Sequence, residues 1–150
     1  MRRRMIAGVI FCCFLAFSGL SLTAQEAASD EPGRVADAGF ELQQNYPNPF
    51  TTSTRIPFRL DPVLFETGQP AVATMRVFNV LQQLVAYPTA INHPTGEGAA
   101  VQGLEYYSPG RQEAFWDAHD LNGRQVAAGI YYVQLTVNGR RQTMKMMVSN

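Results

Sequence analysis

From Thr54 onward the chain alternates between apolar and polar positions with a period of two. Thr54, Ile56, Phe58 and Leu60 fall on one side and Arg55, Pro57 and Arg59 on the other, the pattern of a half-buried strand. Pro57 lacks the N–H needed by one ladder, which predicts an edge position for this strand. Ala73, Met75 and Val77 alternate with Thr74 and Arg76 and predict a second strand ending near Asn79. Leu81, Leu84 and Val85 lead a short third strand that stops at Tyr87-Pro88. Residues 88–111 are dense in proline and glycine, which predicts a long loop with one short strand at Gln102–Tyr107. Gln112–Trp116 reads as another strand and Asp117–Gly123 as a turn.

Gly129–Val137 gives the clearest alternation, with Tyr131, Val133, Leu135 and Val137 sharing one face. Asn138-Gly139 then supplies the two residues that a type I′ hairpin turn requires. Arg140–Val148 returns with Met144, Met146 and Val148 inward. Beyond residue 24 no stretch of ten residues shows a helical period. The predicted fold class is therefore all-β, an antiparallel sandwich of about seven strands. Its predicted core is Ile56, Phe58, Met75, Val77, Trp116, Tyr131, Val133, Leu135, Met144 and Met146.

The first residues follow another rule. Arg2, Arg3 and Arg4 precede an apolar run from Ile6 to Leu22 that ends in Leu22-Thr23-Ala24. This is the pattern of a secretory signal peptide over residues 1–24, and the run is at the short limit for a permanent span. Cys12 and Cys13 lie inside the apolar run behind Val9-Ile10-Phe11, not in the small-residue setting of a lipidation site. Residues 25–38 are small, acidic and unpatterned and read as a flexible leader. The folded domain is expected over residues 39–150, with no stable membrane span after removal of the signal.

Composition narrows the chemistry. The 150 residues are 46% hydrophobic and 16% charged, with twelve basic and twelve acidic side chains. That balance gives no overall field for nucleic acid. Loss of residues 1–24 removes both cysteines and three arginines, leaving Lys145 as the single lysine of a net acidic chain without thiols. Catalysis is not expected. His93 and His119 have no paired carboxylate at motif spacing, and adjacent residues such as His119 and Asp120 seldom point together on a tight turn. Asp120-Leu121-Asn122-Gly123 places oxygen donors at alternate positions, but Ala118 interrupts the series and no bidentate glutamate follows. No cofactor or metal is expected.

Two segments are more specific than a generic sandwich. The first is Tyr46-Pro47-Asn48-Pro49-Phe50, and the second runs from Trp116-Asp117 through Asp120 and Gly123 to Gly129-Ile130-Tyr131. In the first, each proline holds the residue before it extended, Asn48 is expected to cap its own turn, and Tyr46 and Phe50 to pin the segment to the sandwich. In the second, a buried indole ends a strand, and Asp117 and Asp120 accept backbone N–H groups. Together with the closing strand around Met144-Lys145-Met146, these segments resemble the C-terminal sorting domain (type A) of type IX secretion cargo. The Trp116–Tyr131 block is also similar to the Ig-like domain of the flagellar hook-capping protein. Gln82 and Ala118 stand where the sorting family usually carries glycine.

The resemblance implies an Ig-like antiparallel β-sandwich, non-catalytic and exported, located in the periplasm, at the cell surface or in the medium. Its implied partner is a protein of the secretion or outer-membrane machinery, with a passenger engaged in trans. The recognition residues it implies are Tyr46, Pro47, Asn48, Pro49, Phe50, Trp116, Asp117, Asp120, Gly123, Gly129, Tyr131 and Lys145. The last hairpin is the expected contact surface, because no later element covers its edge. The alternatives are a hook-capping-like assembly module and a sugar-binding sandwich that stacks ligand on Tyr106 and Tyr107. N-terminal sequencing of the exported protein should begin at or near Gln25; recovery of intact Met1 in the membrane would contradict the signal-peptide assignment.

Overall fold

The computed structural model describes residues 38–150. The expected signal peptide, and the expected leader up to residue 37, lie outside the described residues. Nine strands follow in order: β1 (Phe40–Leu42), β2 (Thr54–Leu60), β3 (Ala71–Asn79), β4 (Leu84–Ala86), β5 (Thr89–Ile91), β6 (Leu104–Tyr106), β7 (Gly110–Trp116), β8 (Gly129–Val137) and β9 (Arg140–Val148). A 3₁₀ turn, Pro62–Phe65, links β2 to β3. One sheet has the order β1-β2-β7-β5, and the other β4-β3-β8-β9, with β6 also paired to β3. Every strand pair is antiparallel.

The two sheets bury the alternating residues that the sequence singles out. Ile56 and Phe58 of one sheet meet Met75, Val77, Val133, Leu135 and Met146 of the other, and all seven are fully buried. Each such side chain is worth about 1.5–3 kcal/mol when withdrawn from water. Met144 is only half-buried, packed against the margin of the core. It sits opposite Val133 on the outermost strand, where no further strand flanks it.

Two sequence expectations are revised. Strand β2 is not an edge: it lies between β1 and β7. The carbonyl of Pro57 accepts a bond from Gln43 N at 2.9 Å, so the nitrogen of Pro57 faces the same side, where β1 has already ended at Leu42. The missing donor therefore costs no bond to β7. The long loop over 88–111 holds the expected short strand as β6, but it also contains β5 and the start of β7. Strands β1 and β5 are three residues each, too short to show an alternation.

The β8–β9 hairpin turns as expected, with φ of 47° at Asn138 and 83° at Gly139. Besides Asn92 (φ 55°), two further residues with side chains occupy the left-handed region, Gln82 (φ 60°) and Ala118 (φ 58°). Gln82 and Ala118 are positions where the resembling family carries glycine. The turn at Gln82 is closed by Gln82 N to Asn79 O at 3.0 Å and Asn79 N to Gln83 O at 3.1 Å. The Asn79 side chain also accepts from Leu81 N and Gln83 N. That bonding fixes Gln82 in a conformation its Cβ disfavours.

A left-handed residue with a Cβ costs about 1–2 kcal/mol, and glycine returns about 0.5–1 of this as unfolded-chain entropy. Gln82 is exposed, so Gln82→Gly should raise stability by up to about 1 kcal/mol in urea unfolding. Ala118 is fully buried. There the lost methyl, about 0.8 kcal/mol, offsets the relief, and Ala118→Gly should be close to neutral. Destabilisation by Gln82→Gly would show that its backbone carries no strain.

Candidate functional site

The first motif forms a clasp along the open side of both sheets. Tyr46 exchanges two backbone bonds of 2.9 Å with Arg55, extending β2's ladder past the end of β1. Behind it, the buried amide of Asn45 donates to the Thr54 hydroxyl at 2.9 Å and to Pro47 O at 3.1 Å. Thr54 in turn donates to Pro47 O at 2.9 Å. The peptide bonds before Pro47 and Pro49 are cis. The Tyr46 hydroxyl donates to Glu113 at 2.6 Å, and Arg55 and Arg111 reach the same carboxylate. The Tyr46 hydrogen bond, followed by the two arginines, holds the Glu113 carboxyl below its ordinary pKa.

Asn48 does not cap its own turn. Its side-chain oxygen accepts from Met147 N at 3.0 Å. Phe50 N donates to Met147 O at 3.1 Å, and Ser149 N donates to Phe50 O at 2.8 Å. The reason is physical: Met147 lies on an outermost strand with its N–H directed away from β8, and an acceptor outside the sheet satisfies it. The edge of β9 is thus covered at its C-terminal end by an earlier part of the chain. Gln142 adds a second tie, accepting from Leu42 N and donating to Phe40 O, both at 2.8 Å.

The second motif meets the first through its rings. Phe50 and Trp116 pack edge-to-face with centroids 5.6 Å apart, and Trp116 and Tyr131 do the same at 5.6 Å. The indole N–H donates to His119 O at 3.0 Å, and the Tyr131 hydroxyl donates to Ala127 O at 2.9 Å. Burial pushes the Tyr131 pKa up.

In the turn, Asp117 accepts from His119 N at 3.1 Å. Asp120 accepts from Asn122 N at 2.8 Å and Arg124 N at 3.0 Å with one oxygen, and from the Arg124 guanidinium with the other. Led by the Arg124 backbone N–H, these bonds lower its pKa to about 2. Gly123 (φ 73°) closes this turn by donating to Asp120 O at 2.9 Å. His119 pairs with Asp117 rather than with Asp120.

The structure therefore unites Tyr46, Pro47, Asn48, Pro49 and Phe50 with Trp116 and Tyr131, while Asp117 lies in the turn that follows, bonded to His119. Asp120 and Gly123 lie in the adjoining turn, tied to β4 by Leu121 N to Val85 O at 2.9 Å. Gly129 opens β8 opposite Val148. Lys145 stands apart on the exposed side of β9, opposite Tyr132. Sequence reasoning missed Asn45, Thr54 as a hydrogen-bonding group, and Gln142. A signal existed for Gln142, a polar residue in phase with inward Met144 and Met146.

The ring pair of the sugar-binding alternative is not assembled. Tyr106 is buried in β6 against Phe58 and His93, and burial lifts its pKa to about 12. Tyr107 is exposed and donates to Glu105. His93 is buried, bonded through its two nitrogens to Thr95 and to Glu105 O. Among the described residues no three His, Cys, Asp or Glu side chains gather as a metal site. Among those residues, no helix is long and apolar enough to cross a membrane.

No protein-family model matches the chain, and no curated protein matches it. Among solved structures, the chain is similar to dimeric latent PorU from Porphyromonas gingivalis, at 19% identity and a TM-score of 0.51, over 73% of this chain and 9% of PorU. It is also similar to PorZ of Porphyromonas gingivalis, an essential surface component of the type IX secretion system, at 17% identity and a TM-score of 0.42, over 71% of this chain and 11% of PorZ. A third match is the alkylpurine DNA glycosylase AlkC of Pseudomonas fluorescens, at 16% identity and a TM-score of 0.41, over 75% of this chain and 31% of that protein. The chain thus spans about a tenth of PorU and of PorZ. The likeness to PorU shows a shared sandwich fold.

Trp116→Ala should remove about 3–5 kcal/mol, a large part of the roughly 5–15 kcal/mol that holds a typical domain; an unchanged melting temperature would contradict a core role for the indole. Asp120 is predicted to shape the acid limb of stability. Its folded pKa of about 2 lies below the ordinary 3.8, so its contribution is full above that ordinary value and is lost as pH falls through about 2. Asp120→Asn should flatten the fall of melting temperature across that window, and an acid limb identical to wild type would contradict this.

Proposed function

We propose that this chain is an exported, non-catalytic recognition domain of the type IX sorting kind, engaged by secretion or outer-membrane attachment machinery. The observation that supports this reading most is the union of the two resembling motifs, carried by the Phe50–Trp116–Tyr131 ring contacts. Segments separated by more than sixty residues in the chain close one end of one sandwich, as parts of a single module would. Export rests on the Arg2–Arg4 charge, the apolar run and Ala24.

Recognition here is pairing and docking rather than bond chemistry. Along β9 the outward backbone groups of Met147 are taken by Asn48 and Phe50. Thr143 and Lys145 share that direction and meet no partner strand among the described residues. This short open stretch offers donors and acceptors to a receptor strand. The passenger, in this reading, is bound in trans by the same machinery.

Fusion of residues 38–150 to a periplasmic reporter, in a host with a type IX system, tests the proposal. The wild-type fusion should reach the medium. Lys145→Glu should reduce export while changing stability by no more than about 1 kcal/mol, since an exposed charge contributes little. Met146→Asp should unfold the domain by burying a carboxylate. Retention of the wild-type fusion in the periplasm would sink the sorting reading and leave the hook-capping-like assembly module, which shares the Trp116–Tyr131 block.

A further inference from the structure

The outward faces of the two sheets treat charge in opposite ways. On the four-stranded sheet, Arg55 and Arg111 both pair with Glu113, and Arg59 pairs with Glu41 and Asp61. Arg124 pairs with Asp120 in the turn. Arg76, Arg141 and Lys145 pair with no carboxylate among the described residues. All three lie on the outward face of the other sheet, because their neighbours Met75, Val77 and Met146 point into the core. The carboxylate this sheet presents outward is Glu105, at the far end opposite Val72 and engaged by Tyr107.

The same face carries an apolar corner. Register places Leu84, Phe78, Tyr132 and Lys145 in one row across four strands, and Ile130 opposite Met147 in the next. Leu84, Ile130, Tyr132 and Met147 are each 36–41% exposed. Hydrophobic groups gathered on an otherwise polar surface mark interaction sites.

We propose that this face docks an acidic protein surface that has an apolar anchor. The inference deepens the recognition reading above and rests on it for the partner's setting. Strand spacing puts Arg141 and Lys145 about 13 Å apart, and Arg76 about 10 Å from β9. A single small anion cannot span that triangle, whereas carboxylates distributed over a polypeptide can. The apolar corner lies flush in a sheet face rather than projecting as a loop. That geometry suits contact with another protein and not insertion between acyl chains. The unpaired cations complement an acidic partner in charge and steer its approach. The corner beside Lys145 receives the anchor.

The test uses the exported chain at physiological salt, where screening acts over about 8 Å, and a labelled random copolymer of glutamate and tyrosine as the probe. The triple variant Arg76→Gln/Arg141→Gln/Lys145→Gln should weaken copolymer binding about tenfold or more, as three charge contacts predict. Arg55→Gln/Arg59→Gln/Arg111→Gln removes equal charge from the opposite face and should change binding less than about twofold. Tyr132→Ser should weaken binding of the copolymer but not of polyglutamate. Equal losses from the two triple variants would overturn the proposal, because net charge alone would then explain binding. Preference for vesicles of phosphatidylglycerol and phosphatidylcholine over the copolymer would overturn it in favour of a membrane surface. These measurements need no secretion machinery, so their failure removes the docking face and leaves the export reading to its own test.

Discussion

The contact on which the rest of this domain depends is the packing of Trp116 between Phe50 and Tyr131, edge-to-face on both sides. Phe50 belongs to the segment before β2, Trp116 ends β7, and Tyr131 begins the buried face of β8. One indole therefore joins the lead-in of the chain to both sheets. Aromatic pairs of this kind add about 0.5–1.5 kcal/mol beyond the area they bury. The indole N–H is satisfied by His119 O, so the ring is buried without an orphaned donor. With the rings in place, Asn48 and Phe50 stand where the outward backbone groups of Met147 need partners.

Much of this was legible in the sequence because long strands with one buried face announce themselves. The alternation of β8 and β9, the Asn138-Gly139 turn and most of the core followed from side-chain period alone. What was not legible were interactions between segments distant in sequence. Asn48 carries the same amide whether it caps its own turn or the edge of β9. Pro57 forbids a hydrogen bond on one side only, and nothing local says that β1 stops short on that side. Tyr106 and Tyr107 are neighbours of one residue type, and pairing of β6 with β3 sends the first into the core and leaves the second in water. Ring packing between the two motifs likewise has no periodic trace.

Closure of the sandwich leaves two outward faces of different character. The face of β2 and β7 satisfies its own charges, with Glu113 at the centre of Tyr46, Arg55 and Arg111. It is bound to the clasp and serves stability. The outward face of β3, β8 and β9 holds Arg76, Arg141 and Lys145 without carboxylate partners among the described residues and gathers exposed apolar groups at one corner. The clasp also shortens the open edge of β9, leaving Thr143 and Lys145 beside that face. Limiting an open edge in this way restrains indiscriminate strand pairing.

Amide hydrogen exchange at two positions of β9 tests the central claim most directly. Met147 N and Lys145 N both point away from β8, but among the described residues only Met147 N has an acceptor, Asn48. The Met147 amide should exchange far more slowly than the Lys145 amide, and Asn48→Ala should bring the two rates together. Equally fast exchange of both amides in the wild-type protein would contradict the account, because the motif around Asn48 would then not close the edge of the sandwich.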